Sequence, residues 1–139
     1  MIVENPNGKV QMTNQGQISK AEKKYDLEER TAKFGEDIIE FSFSLPENSI
    51  NKPLISQVVR SATSIGANYM EADGAESKKD FFHKIALCKK EAKESMHWLR
   101  MLAKANPVKK DDCRKLWKEA HELALIFSSI ILNKKKDGN

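Results

Sequence analysis

Residues 77–107 read SKKDFFHKIALCKKEAKESMHWLRMLAKANP. Apolar or small side chains recur at Phe81, Ile85, Cys88, Ala92, Ser95, Leu99 and Leu102, in an unbroken alternation of steps of four and three. That spacing marks one face of an α-helix, and a mean step of about 3.5 residues keeps the stripe turned toward a partner along the whole rod. Ser77 with Asp80 three residues on resembles a capping box, with Asp where Glu is better attested. Asn106-Pro107 ends the helix, because proline cannot supply the next backbone donor.

Upstream, the same rhythm predicts a helix from about Pro53 to Ala72 on Leu54, Val58, Ser61, Ile65, Asn68 and Ala72. Pro53 suits its first turn, and Gly74 suits a left-handed stop. Its middle, RSATSIGANYM, is rich in poor helix formers. Their propensities sum to roughly 3 kcal/mol against an all-alanine helix. Close approach of neighbouring helices to these small residues is the expected compensation. Further upstream, Leu27, Thr31, Phe34, Ile38, Phe41 and Leu45 predict a helix from about Asp26 to Ser44, stopped by Pro46. Downstream, Cys113, Leu116, Ala120, Leu123, Phe127 and Ile130 predict one from about Lys109 to Asn133. Beside that stripe, Trp117, Ala124 and Ile131 form a second row, which with Ile126 exceeds what one core needs and points to self-association.

Four such rods joined by short turns make an all-α, antiparallel up-and-down four-helix bundle with crossing angles of about 20°. The bundle is expected over residues 25–134. Residues 1–24, polar and without period, are expected as a flexible tail, with short extended pieces at Ile2–Val3 or Val10–Met12. Residues 135–139 form a basic and polar end.

The chain of 139 residues suits one domain, with 40% hydrophobic and 32% charged residues. No apolar run reaches the ~18 residues of a membrane span, and no partner membrane is expected. The start lacks the order of a secretion signal. Cys88 and Cys113 share no metal-type spacing and read as buried or half-buried thiols of a cytoplasmic protein.

Net charge is +4, but unevenly placed. Residues 1–77 carry 8 Lys and Arg against 12 Asp and Glu, and residues 78–139 carry 16 against 8. A basic second half is compatible with a nucleic-acid partner and equally with solvated helix faces. The candidate contacts are Lys78, Lys79, Lys84, Lys89, Lys93, Arg100 and Lys104 on the third helix, with Lys109, Lys110, Arg114, Lys115 and Lys118 on the fourth.

Arg60, Ser64, Asn68 and Glu71 form a polar stripe on the second helix. With Glu91 and Glu94 it is expected as a buried polar network that fixes register. Glu94-x-x-His97 has half the spacing of a di-iron motif, but the fourth helix offers only Glu119-Ala-His121, whose side chains point about 200° apart. His83 and His97 lie about 21 Å apart along one helix. No nucleophile elbow or phosphate loop is visible. No catalytic, cofactor-binding or metal residue is therefore assigned.

The run Arg60-Ser-Ala-Thr-Ser-Ile-Gly-Ala-Asn-Tyr69, with Glu71-Ala72, Asp80-Phe81 and Lys90-Glu91-Ala92-x-Glu94-Ser95-x-x-Trp98-Leu99, resembles the four-helix-bundle proteins named for intervening sequences in 23S ribosomal RNA genes. The resemblance covers about residues 25 to 133. Many relatives carry Glu-Gly directly after the Asn-containing stretch, where this chain has Glu71-Ala72-Asp73-Gly74. The resemblance implies a left-handed bundle, a homo-oligomer that is a pentameric ring in similar proteins, a basic surface and no enzymatic activity. It does not imply ribosome membership. The family is also similar to accessory proteins of diversity-generating retroelements, which bind nucleic acid and a reverse transcriptase. Two functions follow as expectations: RNA or DNA binding through basic helix surfaces, or a scaffold for a protein partner without nucleic acid.

Overall fold

The computed structural model describes residues 20–137, and the side chains of 27–134. Most of the tail expected over residues 1–24, with its two extended pieces, lies outside the described residues, as do residues 138–139. The chain forms α1 (Lys20–Phe43), α2 (Asn51–Asp73), α3 (Lys78–Ala105) and α4 (Lys110–Asp137), with one 3-10 turn at Pro107–Lys109. The first helix thus begins ahead of the expected Asp26, and the fourth continues past the expected Asn133. No strand occurs among the described residues.

The rods pack in chain order. The α2–α3 and α3–α4 seams are extensive, the α1–α2 seam is smaller, and the α1–α4 seam that closes the bundle is thin. Neighbours run antiparallel. Asn51, at the start of α2, meets Asn106, just past the end of α3, while Glu71 near the other end of α2 meets Lys84 near the start of α3.

The expected stripes form the core. Phe34, Ile38, Val58, Ile65, Ile85, Cys88, Ala92, Leu99, Leu102, Ala120, Leu123 and Phe127 are at most 1% exposed. Trp117 and Ile131, assigned at the sequence level to a surplus row, are half-buried against this same core, and Ala124 is buried in it. The row therefore has partners within its own chain.

Small residues do admit close neighbours. A Cβ on Gly66 would lie 3.5 Å from the Thr31 hydroxyl and 3.6 Å from the Ala32 nitrogen. One on Gly35 would lie 3.5 Å from the Thr63 Cα. The two glycines bring α1 and α2 together from opposite sides of their seam. On the other flank of α2, the buried Ser61 and Ser95 hydroxyls share a hydrogen bond of 2.9 Å with α3. Thr63, Ser64 and Asn68 return hydrogen bonds to carbonyls of their own helix, which satisfies polar groups in mid-helix at little cost.

The helix ends are set locally. Asn48 serves α2 as its cap: its side-chain oxygen accepts from the backbone N–H of Ile50 at 3.1 Å and of Asn51 at 2.7 Å. The Ser77 hydroxyl accepts from the Asp80 N–H at 3.1 Å, the serine half of the expected box. Gly74 departs from expectation. It stops α2 at φ −92°, not in the left-handed region. Its N–H bonds back to the Met70 carbonyl at 3.2 Å, and Ala75 closes onto Ala72 at 3.1 Å, so an ordinary turn suffices.

Candidate functional site

The polar stripe of α2 is not the buried network expected. Arg60 is 46% exposed at its side chain and bridges to α3, donating to Glu91 at 3.2 Å and to Glu94. Ser64 and Asn68 do not join it, because both are spent on backbone carbonyls. Glu71 is exposed and pairs separately with Lys84 at 2.6 Å. The cause is rotation: the stripe lies at the edge of the α2–α3 seam, where long side chains reach water. An exposed pair of this kind contributes little to stability.

The buried polar residues are others. Asn51 and Asn106 exchange reciprocal amide hydrogen bonds of 3.0 and 2.9 Å. Asn51 also donates to the Pro46 carbonyl at 2.9 Å, and Asn106 to that of Leu102 at 3.0 Å. Across the thin seam, Arg30 of α1 grips Glu119 of α4 in a two-pronged contact of 2.8 and 2.9 Å and reaches Glu122 at 3.1 Å. Donating to the Glu119 carboxylate raises the pKa of this guanidinium further still. Below the clamp an open groove of about 680 Å³ runs between α1 and α4 over Phe34, Phe41 and Leu116, with Lys109, Asp112 and Lys115 on its α4 side.

The twelve candidate basic contacts do not form one surface. Lys84 turns toward α2 and is paired. Lys109 and Lys115 line the α1–α4 groove. Arg114 stands 3.9 Å from Asp111. Lys78, Lys110 and Lys118 are exposed near helix starts or on the outer side of α4. The remainder sorts by helical period. Lys79, Lys93 and Arg100 fall on one row of α3 at multiples of seven, and His83, Lys90, His97 and Lys104 fall on the adjacent row. All seven are exposed, and Lys89 stands beside them, half-buried.

The acids of α3 border this band: Glu94 stands one helical turn beyond Lys90. Glu91 and Glu94 face Arg60, and Asp80 lies in the first turn. None of the band's Lys or Arg side chains forms an ion pair with a described residue. Lys89 with Lys93, and Arg100 with Lys104, are like charges one helical turn apart, an arrangement that costs a few tenths of a kcal/mol per pair. Lys79 also places a cation at the positive end of the helix dipole. Lys104, in the last turn, is favourably placed for the dipole, so the cost falls on the two like-charge pairs and on Lys79. Lys90 was absent from the sequence candidates; its spacing of two heptads to Lys104, through His97, is the signal that finds it.

Both cysteines are buried and unpaired. Glu94 of the E-x-x-H is taken by Arg60. Among the described residues no cluster of His, Cys, Asp or Glu is placed to hold a metal ion, and no helix is long and apolar enough to cross a membrane.

Comparison with known proteins agrees with the architecture. Residues 23–129 match the family model described as 23S rRNA-intervening sequence protein. A crystal structure from Bacteroides thetaiotaomicron, a protein of unknown function in the S23 ribosomal protein family, superposes with a TM-score of 0.72. It is 28% identical, and the match covers 78% of this chain and 97% of that one. No curated protein matches the chain.

Proposed function

The chain belongs to the 23S rRNA-intervening sequence protein family, and from that premise we propose that it is a non-enzymatic, self-associating bundle that binds RNA or DNA through the basic band of α3. The observation that carries this reading is the band itself: exposed, with none of its Lys or Arg in an ion pair to a described residue, and with like charges one turn apart at Lys89–Lys93 and Arg100–Lys104. A merely solubilising surface would mix signs, as α1 does with Lys33 and Asp37 at 3.2 Å. Copies arranged in a closed assembly, a pentamer by family resemblance, would repeat the band and add weak contacts through multivalency.

Binding of this kind releases counterions. With four to six phosphates neutralised, affinity for mixed RNA should fall with salt at a logarithmic slope of about −3 to −5. Fluorescence anisotropy across a salt series measures it. Absent binding at low salt, or an affinity indifferent to salt, would sink the reading.

A second reading has its own observation. Phe43, Ile50 and Val108 are 86%, 61% and 96% exposed, and all sit at the end of the bundle where Asn51 meets Asn106. Apolar side chains gathered at one end favour a protein partner there, with the basic surfaces serving only solubility. A pull-down repeated after nuclease treatment separates the two, since a partner retained after treatment supports the scaffold.

A further inference from the structure

The shape of the α3 band bears on which form of nucleic acid suits it. It is straight and stiff: Lys79 to Lys104 spans about 38 Å of rise within one uninterrupted helix held on both flanks by α2 and α4. Its platforms for unstacked bases are few and small: His83, His97 and Arg100 are its exposed planar groups, and the larger aromatic rings of α3 are half-buried. Phe82 is half-buried, edge-on to Phe81, and the Lys134 ammonium sits 4.9 Å over its ring. Trp98 is half-buried with His97 edge-on against it at 4.8 Å. Among the described residues Phe43 alone is both Phe, Tyr or Trp and strongly exposed, and it lies on α1, which does not touch α3. Single strands are held by grooves that combine charge with stacking on aromatic rings. With so little ring surface, a flexible strand must be straightened along the rod with little stacking to offset the lost freedom. A double helix is already straight, and it concentrates one phosphate charge per about 1.7 Å of its axis.

We infer that α3 takes the sugar-phosphate backbone of a double helix, DNA or RNA, in preference to single strands; the inference rests on the nucleic-acid reading above. The probes are a labelled DNA duplex of about 30 base pairs, an RNA duplex of the same sequence and each separated strand, titrated with the full chain at low salt. Tighter binding of either duplex than of its own strands, by about tenfold, is the expected result, and the DNA and RNA arms identify which duplex is preferred. Strands that bind as tightly as the duplexes overturn this inference and leave the nucleic-acid reading standing. No binding to any probe overturns both.

The double variant Lys93→Glu/Arg100→Glu should weaken duplex binding at least tenfold. Circular dichroism should show its helix content unchanged, since both side chains are exposed. Lys33→Glu/Lys52→Glu makes the same change in net charge away from α3 and should weaken binding less than about threefold. Equal losses in the two double variants would mean that overall charge, not the band, does the binding, and would overturn the assignment to α3.

Discussion

The Cys88 thiol, wholly buried, donates to the Ile65 carbonyl at 3.5 Å. Burial pushes its pKa from 9.0 up to about 12, and that of Cys113 up to about 11. Below pH 9 both thiols are protonated whether the chain is folded or not. Between pH 9 and these raised values only the unfolded chain gives up the protons, so stability is lost as pH rises, by about 1.4 kcal/mol per pH unit for each thiol. The melting temperature should fall between pH 9 and 11, and Cys88→Ala should flatten that slope whatever it does to the absolute value. The Asn51–Asn106 pair makes a different expectation at the same scale. Asn106→Ala strands a buried amide and should cost about 2 kcal/mol. Adding Asn51→Ala should then cost less than it does alone, as a double-mutant cycle by urea denaturation would show. The sequence marked Asn106 as the end of a helix, but not as a partner of Asn51. The two stand 55 residues apart, and their meeting depends on the register of α2 against α3, which no local pattern states.

At the scale of single helices, the stripes were legible because burial follows the 4-3 rhythm directly. Phe34, Ile85, Leu99 and Leu123 are all sealed, as their spacing requires. Rotation about each axis was less legible: it decided that the α2 polar stripe is exposed and that Trp117 and Ile131 turn inward. Gly66 tests the close approach of α1 and α2. A methyl group there meets neighbours at ordinary contact distance, so Gly66→Ala should stabilise by about 0.5–1 kcal/mol through helix propensity alone. Gly66→Leu cannot be accommodated against Thr31 and Ala32 and should cost about 1–3 kcal/mol by overpacking. Thermal melts of the pair give opposite signs if the seam is as tight as described. Arg30→Ala should loosen the thin α1–α4 seam. Its signature is faster amide exchange in α1 with α3 unaffected, because α1 is held chiefly by α2.

For the molecule as a whole, the surplus of apolar surface lies elsewhere than the sequence placed it. Leu125 and Leu132, 55% and 57% exposed and one heptad apart on the outer side of α4, replace Trp117 and Ile131 as the residues to test for self-association. If copies associate there, Leu125→Glu/Leu132→Glu should reduce the mass seen by light scattering to that of one chain, 15.8 kDa, with helix content unchanged. The even number of antiparallel rods has one more effect. It sends the start of α1 and the finish of α4 out through the same pole, away from Phe43, Ile50 and Val108. A fluorophore or tether attached at the start of α1 or the finish of α4 would therefore crowd one pole only. Surface immobilisation through such a tag would present the opposite, greasy pole to whatever flows past.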